Sequence, residues 1–296
     1  MAITIKLPAN FDITATNRFV RGVVSGQGQP TDSKITFDFA PLNFIDGSGY
    51  TVLSNTLEWL FNHEVDVRFI NCKNLLRPAI RYLDDCGFFH QYIGGKLSSQ
   101  SAQRPTTLPC TAVAHANAHG WLETKFSPWM GNVLGVSHAA LGTVRTGVKE
   151  LFNNIDDHST LNTGFIHVQH HPNMKAVRIS VSDFGTGIPN TIKARFGDMR
   201  DGSAIHMATL EGVTAKTKPN NMGAGLNYLI ERVTSCHGKV RIVSLTGSLN
   251  CSRAKDGSVD RDIQERNGTY PGTLVEVELD TRLFVGDEEG RVEVEW

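Results

Sequence analysis

The chain opens with short stretches in which apolar and polar residues alternate, ITIKL (3–7) and KITFDFA (34–40), a period that predicts β-strands. Gly, Gln, Pro and Asp gather between residues 25 and 32 and supply turn chemistry. After Asp46-Gly47-Ser48-Gly49 the spacing changes: Val52, Leu53, Leu57, Leu60 and Phe61 recur at helical intervals. VDVRFINC (65–72) then predicts a strand, and LRPAIRYLDDCGFF (76–89) a helix closed by Gly87. Together these make a compact α/β unit ending near residue 95. Residues 94–111 are rich in Gly, Ser, Gln, Thr and Pro and read as a linker. A long helical pattern covers about 128–160, followed by the strand GFIHVQHH, a turn at Pro172-Asn173 and the strand AVRISVSDFG. Such a hairpin puts Asp183 at the end of a buried strand. A loop-rich region to about 222 leads to a helix (GLNYLIERVTSC), a strand (KVRIVSL), a polar insertion over about 246–270 and a strand (TLVEVELD). The tail RLFVGDEEGRVEVEW is expected to form a small hairpin.

With 296 residues, about two domains are expected at roughly 150 residues each. The pattern sets them as residues 1–95, a connecting segment 96–127, and 128–296. Lys plus Arg number 29 and Asp plus Glu 30, a net charge of -1, so charge gives no reason to expect nucleic acid or an anionic membrane as partner. No apolar run is long enough for a signal peptide or a membrane span. The five cysteines form no CxxC pair, and a reducing, cytoplasmic setting is expected.

Three motifs in the second domain carry candidate chemistry. In KELFNNIDDHS, Glu150, Asn154 and His158 stand at i, i+4 and i+8 and share a helical stripe. There Glu150 is suited to polarising a hydroxyl or water, and the Asn154 carbonyl to ligating Mg²⁺. In SDFGTGIP, Asp183 precedes Gly185 and Gly187, a pattern that lets backbone approach a flat ligand while the carboxylate accepts from an amine such as that of adenine. In NNMGAGLNYLIERV, Gly223, Gly225 and Leu226 open a helix whose free N–H groups favour phosphate. Taken singly, each also has a plain structural reading as a polar helix face, a tight turn or an ordinary helix start. No GxxxxGK[ST] occurs, and neither glycine motif completes a dinucleotide fingerprint. His115 and His119 have i, i+4 spacing but no evident third ligand, and His170-His171 read as solvated.

In order, ExxxN, DxGxG, GxGL and a late Gly272-Thr273 resemble the Bergerat-fold ATPases of the GHKL group over about residues 130–280. The resemblance implies a layered α/β (α+β) sandwich with a mixed β-sheet, and ATP and Mg²⁺ as cofactors. It assigns Glu150 as general base, Asn154 as metal ligand and Asp183 as adenine reader. Gly185, Gly187 and Ile188 would floor the base pocket, Thr273 would lie near the adenine, and Asp157, His158, Gly223, Gly225 and Leu226 would complete the nucleotide site. Within the group, ExxxNxxxH is most similar to the anti-sigma-factor serine kinases. Ile155 after the Asn and a lid with a single GxG depart from the group's pattern; Lys216 and Lys218 precede that lid. Residues 3–93 resemble the STAS domains of anti-anti-sigma factors, whose D-S-[ST]-G loop carries a phosphorylated hydroxyl. Ser48 matches the acceptor position and Gly47 departs from the pattern; Ser48 as a simple helix cap is the alternative.

The expectation from these resemblances is an ATP-binding regulator that switches contacts with a STAS-like or sigma-factor-like protein partner, with phosphate transfer to serine as one version. A clamp that closes into a homodimer on ATP, or a scaffold that holds ATP without turnover, are the alternatives.

Overall fold

The computed structural model describes residues 3–158, 163–213 and 225–284, except for the side chains of 154–158, 163 and 283. The first domain runs β1 (Ile3–Lys6), β2 (Asn10–Phe11), α1 (Thr16–Val23), β3 (Lys34–Asp38), β4 (Phe44–Ile45), α2 (Gly47–Asn62), β5 (Asp66–Ile70), α3 (Pro78–Asp85) and α4 (Phe88–Ile93). Strands β1, β3 and β5 form a parallel sheet in that order, and β2 pairs with β4. Gly87, at φ 82°, divides the expected 76–89 helix into α3 and α4. A cluster of rings including Phe11, Phe19, Phe37, Phe39, Phe88 and Phe89 fills the core.

The second domain contains β6 (Thr107–Ala114), α5 (Ala118–Trp121), α6 (Ser127–Leu134), α7 (Gly142–His158), β7 (Thr163–His171), β8 (Ala176–Asp183), α8 (Ile188–Phe196), α9 (Asp201–Ala208), α10 (Gly225–Ser235), β9 (Lys239–Arg253) and β10 (Val259–Asp280). Its sheet has the order β6-β7-β8-β10-β9. Every pairing in it is antiparallel, where a mixed sheet was expected; short turns join β7 to β8 and β9 to β10. The expected linker also differs: Thr107–Ala114 is the edge strand β6, and Phe126 and Met130 are fully buried beyond it. The helix expected from 128 is broken at Gly135, φ 70°, and resumes as α7. The polar insertion is the outer arm of a long hairpin, turning at 254–258, with Leu249 and Cys251 buried on its covered face. The expected C-terminal hairpin lies outside the described residues except at its start. Among the described residues, no helix is long and apolar enough to cross a membrane.

The antiparallel sheet is covered on both faces. Ile166, Val168, Val177, Ile179, Val181, Val275 and Val277 pack beneath α7, α8 and α10. On the opposite face, Phe165, Val243 and Leu274 join the first domain's core. Helix α2 lies between the two sheets and is buried almost all round, although Phe61, grouped with its apolar stripe by spacing, is 41% exposed. Its polar side meets polar strand residues. Ser48 Oγ donates to Glu276 Oε2 at 2.7 Å and lies 3.2 Å from Ser180 Oγ, and Arg241 pairs with Glu276 at 2.7 Å. The Tyr82 hydroxyl donates to Gln169 and contacts His167 Nε2 at 2.8 Å. Burial holds His167 neutral, pushing its pKa down to about 3, and burial with the nearby Glu276 charge pushes Asp46 up to about 7.

The close approach explains Gly47. A Cβ there would stand 2.7 Å from His167 Nδ1 and 2.9 Å from Ser180 Oγ, both buried side chains. Gly47→Val is therefore expected to destabilise the protein by about 1–3 kcal/mol in denaturant unfolding. Gly120→Ala, where the added methyl meets open space, should shift stability by less than about 0.5 kcal/mol. Equal stability of the two variants would show that α2 is not seated on the sheet.

Candidate functional site

Alternation along β8 turns Val177, Ile179, Val181 and Asp183 toward the helical layer, and Ser180 and Ser182 toward the first domain. The apolar run thus ends in a carboxylate that the strand carries into the interior. Asp183 is 3% exposed and sits opposite Thr273 in the β8-β10 register. Its Oδ1 has no hydrogen-bond partner; of the buried unpaired atoms among the described residues, it is the one carboxylate oxygen. Burial pushes its pKa up to about 8, opposed in part by the Thr273 backbone amide.

A cavity of about 10 Å³ adjoins it, lined by Leu151, Val181, Ile188, Leu226, Thr273, Val275 and Asp183 itself. That space is about one water in size. A flat heterocycle would enter by parting Leu151, Ile188 and Leu226, which come from the separate helices α7, α8 and α10. An acceptor without a partner among aliphatic walls is able to take a hydrogen bond from any donor that enters there.

The glycines after Asp183 serve a tight crossing of two backbones. Gly272, at φ 125°, lies so close to β8 that a Cβ would stand 2.3 Å from the Asp183 carbonyl oxygen. Gly187, at φ 78°, would place a Cβ 2.9 Å from Ser244 Oγ. Gly185 N–H donates to the Pro271 carbonyl at 3.3 Å. Ser244 ties the two segments together, accepting from Ile188 N–H at 3.0 Å and donating to the Gly272 carbonyl at 2.6 Å. Sequence reading passed over Ser244. Its signal was a hydroxyl at the third inward position of KVRIVSL, after Val240 and Ile242.

Glu150 stands on half-buried ground one residue before Leu151 of the cavity wall. Its Oε1 accepts from Asn153 Nδ2 at 3.3 Å, and Asn153 Oδ1 is 3.2 Å from His115 Nε2. A Cβ on Gly225 would meet Glu150 Oε2 at 2.7 Å, so the carboxylate abuts the first residue of α10, where the helix dipole favours negative charge. The fold therefore brings together Glu150, Asp183, Gly185, Gly187, Ile188, Gly225, Leu226 and Thr273 around the end of β8, the middle of α7 and the start of α10. Gly223, Lys216 and Lys218, and the side chains of Asn154, Asp157 and His158, lie outside the described residues. Ser48 is not part of this assembly. It is fully buried behind the sheet, and no kinase can reach its hydroxyl in this arrangement. Among the described residues, no group of three His, Cys, Asp or Glu is placed to hold a metal ion.

No family model matches the chain, and no curated protein matches it. Solved structures that share part of its shape include the ATPase region of Saccharomyces cerevisiae topoisomerase II, at 13% identity and a TM-score of 0.30, over 47% of this chain and 38% of that one. The same region bound to ICRF-187 (dexrazoxane) gives 14% and 0.29 over the same shares. The topoisomerase IV ATP-binding domain of Francisella tularensis, in complex with a small-molecule inhibitor, gives 12% and 0.27 over 60% of this chain and 44% of that one. The chain spans about two fifths of the length of the structures it matches.

Because the folded pKa of Asp183 lies above the ordinary carboxylate value of 3.8, the folded state holds a proton that the unfolded chain releases. Its contribution favours folding below about pH 4 and is lost as the pH rises through about 8. Asp183→Asn is expected to exceed the wild type by at least about 1 kcal/mol in urea unfolding at pH 8.5, with the gap closing toward pH 4. A pH-independent difference would place the Asp183 carboxyl in contact with solvent or a cation.

Proposed function

We propose that this chain is an ATP-binding regulatory protein of the Bergerat (GHKL) type. The observation that carries the reading is the unpaired Asp183 oxygen in an aliphatic slot, backed by the Gly185-Gly187 and Gly272 crossing. An adenine ring suits this slot: its amino group donates to Asp183, while Val181, Ile188 and Leu226 cover its faces and exclude water. The motif order supports the same ligand, assigning Gly223 and Gly225 to the phosphates and Asn154 to Mg²⁺. Bound ATP supplies a phosphoryl group for transfer.

Glu150 is the proton acceptor in this reading. It lies beside the slot and against the α10 N-terminus, and takes the proton of an attacking serine hydroxyl or water as the new bond to the terminal phosphorus forms and the bond from that phosphorus to the β-phosphate oxygen breaks, releasing ADP. Since Ser48 is enclosed behind the sheet, the acceptor serine belongs to a separate protein, a STAS-like or sigma-factor-like regulator. Transfer to such a partner makes the chain a serine kinase of the anti-sigma-factor type. The unpaired cysteines agree with a cytoplasmic setting.

Calorimetric titration is expected to show ATP binding at micromolar concentrations, weakened at least about tenfold by Asp183→Ala. Absence of binding to the wild type would refute the reading. With labelled ATP, transfer to a partner or to water should be lost in Glu150→Ala while binding persists. Doubling of the molecular mass with a non-hydrolysable ATP analogue would instead support the dimerising clamp.

A further inference from the structure

Behind the slot, the residues on either side of Asp183, Ser182 in β8 and Phe184 just past its end, are both held by the first domain. Adjacent strand residues point to opposite faces, so Ser182 and Phe184 turn away from the cavity as Asp183 turns toward it. Ser182 is fully buried, and its Oγ accepts from Asn55 Nδ2 of α2 at 2.5 Å. Phe184 meets Trp59, one turn further along α2, edge-on with ring centroids 6.1 Å apart, and meets Tyr270 at 5.5 Å and 82°. The Tyr270 hydroxyl lies buried beside Ser182 and Asn55. One helical face, Asn55 and Trp59 at i and i+4, thus grips the residues on either side of the candidate base reader.

Rotation of this strand end about its axis would swing the Asp183 carboxyl out of the slot. Within the slot only the Thr273 backbone amide holds the carboxyl, and Oδ1 has no protein partner. Further restraint comes from the Gly272 crossing on one side and from α2 behind. We propose that Asn55 and Trp59 are positioning residues for base recognition, holding Asp183 through Ser182 and Phe184, so that the first domain is a working part of the nucleotide site. This rests on the nucleotide reading above. It goes beyond that reading by assigning a role in base selectivity to a domain on the far side of the sheet.

The test compares ATP with GTP, and both with inorganic tripolyphosphate, by calorimetry on the full chain. Asn55→Ala and Trp59→Leu should each weaken ATP by about tenfold, the scale on which orienting residues act. GTP and tripolyphosphate affinities should stay unchanged, so the preference for adenine shrinks in proportion. Ser48→Ala, which loosens the same interface at Glu276 away from the strand end, should lower the melting temperature and leave the ATP-to-GTP preference intact. Wild-type preference in both the Asn55 and Trp59 variants would overturn the proposal, as would an equal loss of preference in Ser48→Ala. Failure of the wild type to bind ATP at all would instead overturn the nucleotide site on which the proposal stands.

Discussion

Apart from the outer arm of the β9-β10 hairpin, the antiparallel sheet is covered on both faces, and that constraint organises the rest of the molecule. Burying a polar group without a partner costs on the order of a few kcal/mol, so each hydroxyl, imidazole or carboxylate on these strands needs a partner within the protein. On the first-domain face this need is largely met. Glu276 is bonded to Ser48 and Arg241, Ser182 to Asn55, and His167 to Tyr82. On the helical face the residues are almost all aliphatic, and the carboxyl group of Asp183 interrupts them with an oxygen that nothing in the protein satisfies. In the function proposed above, that oxygen is the acceptor for the amino group of the bound base, with the aliphatic walls against its faces.

The same constraint accounts for the glycines. Gly272 and Gly187 allow β10 and the turn after β8 to cross at distances that exclude a side chain, and Ser244 bonds the crossing from within. Gly47 does the equivalent work at the far face, where the first turn of α2 presses on His167 and Ser180. The departure of this loop from the D-S-[ST]-G pattern is thus a packing requirement. It accompanies the burial of Ser48, whose hydroxyl is committed to Glu276.

Much of the site was legible in the sequence because its residues interrupt strong patterns. Asp183 ends an apolar strand, Gly185 and Gly187 follow it directly, and Glu150 precedes the apolar Leu151 and Phe152 on a long helix. What was not legible depends on contacts between distant segments. Nothing in the sequence marks Ser54 and Asn55 of α2, whose contacts with Cys110 and Ser182 join Ser48 and Ser180 in an interior seam. TLPCTAVA reads as linker because its residues are small. As an edge strand with Thr107, Cys110 and Val113 turned inward, it needs little bulk. The outer arm of the β9-β10 hairpin is polar because much of its surface faces solvent, and period-two alternation is diluted there by Asn, Asp and Arg. Helix α1, eight residues with no N-cap side-chain bond, offered no start signal, yet its Asn17 Nδ2 bonds the carbonyls of Leu245 and Gly268 in the second domain.

The most direct measurement is the crystal structure of the full chain with a non-hydrolysable ATP analogue and Mg²⁺. The account predicts the base between Val181, Ile188 and Leu226, with its amino nitrogen about 3 Å from an Asp183 carboxyl oxygen and the first domain still seated behind β8. A nucleotide bound elsewhere, or a base that leaves the Asp183 carboxyl unpaired, would contradict it.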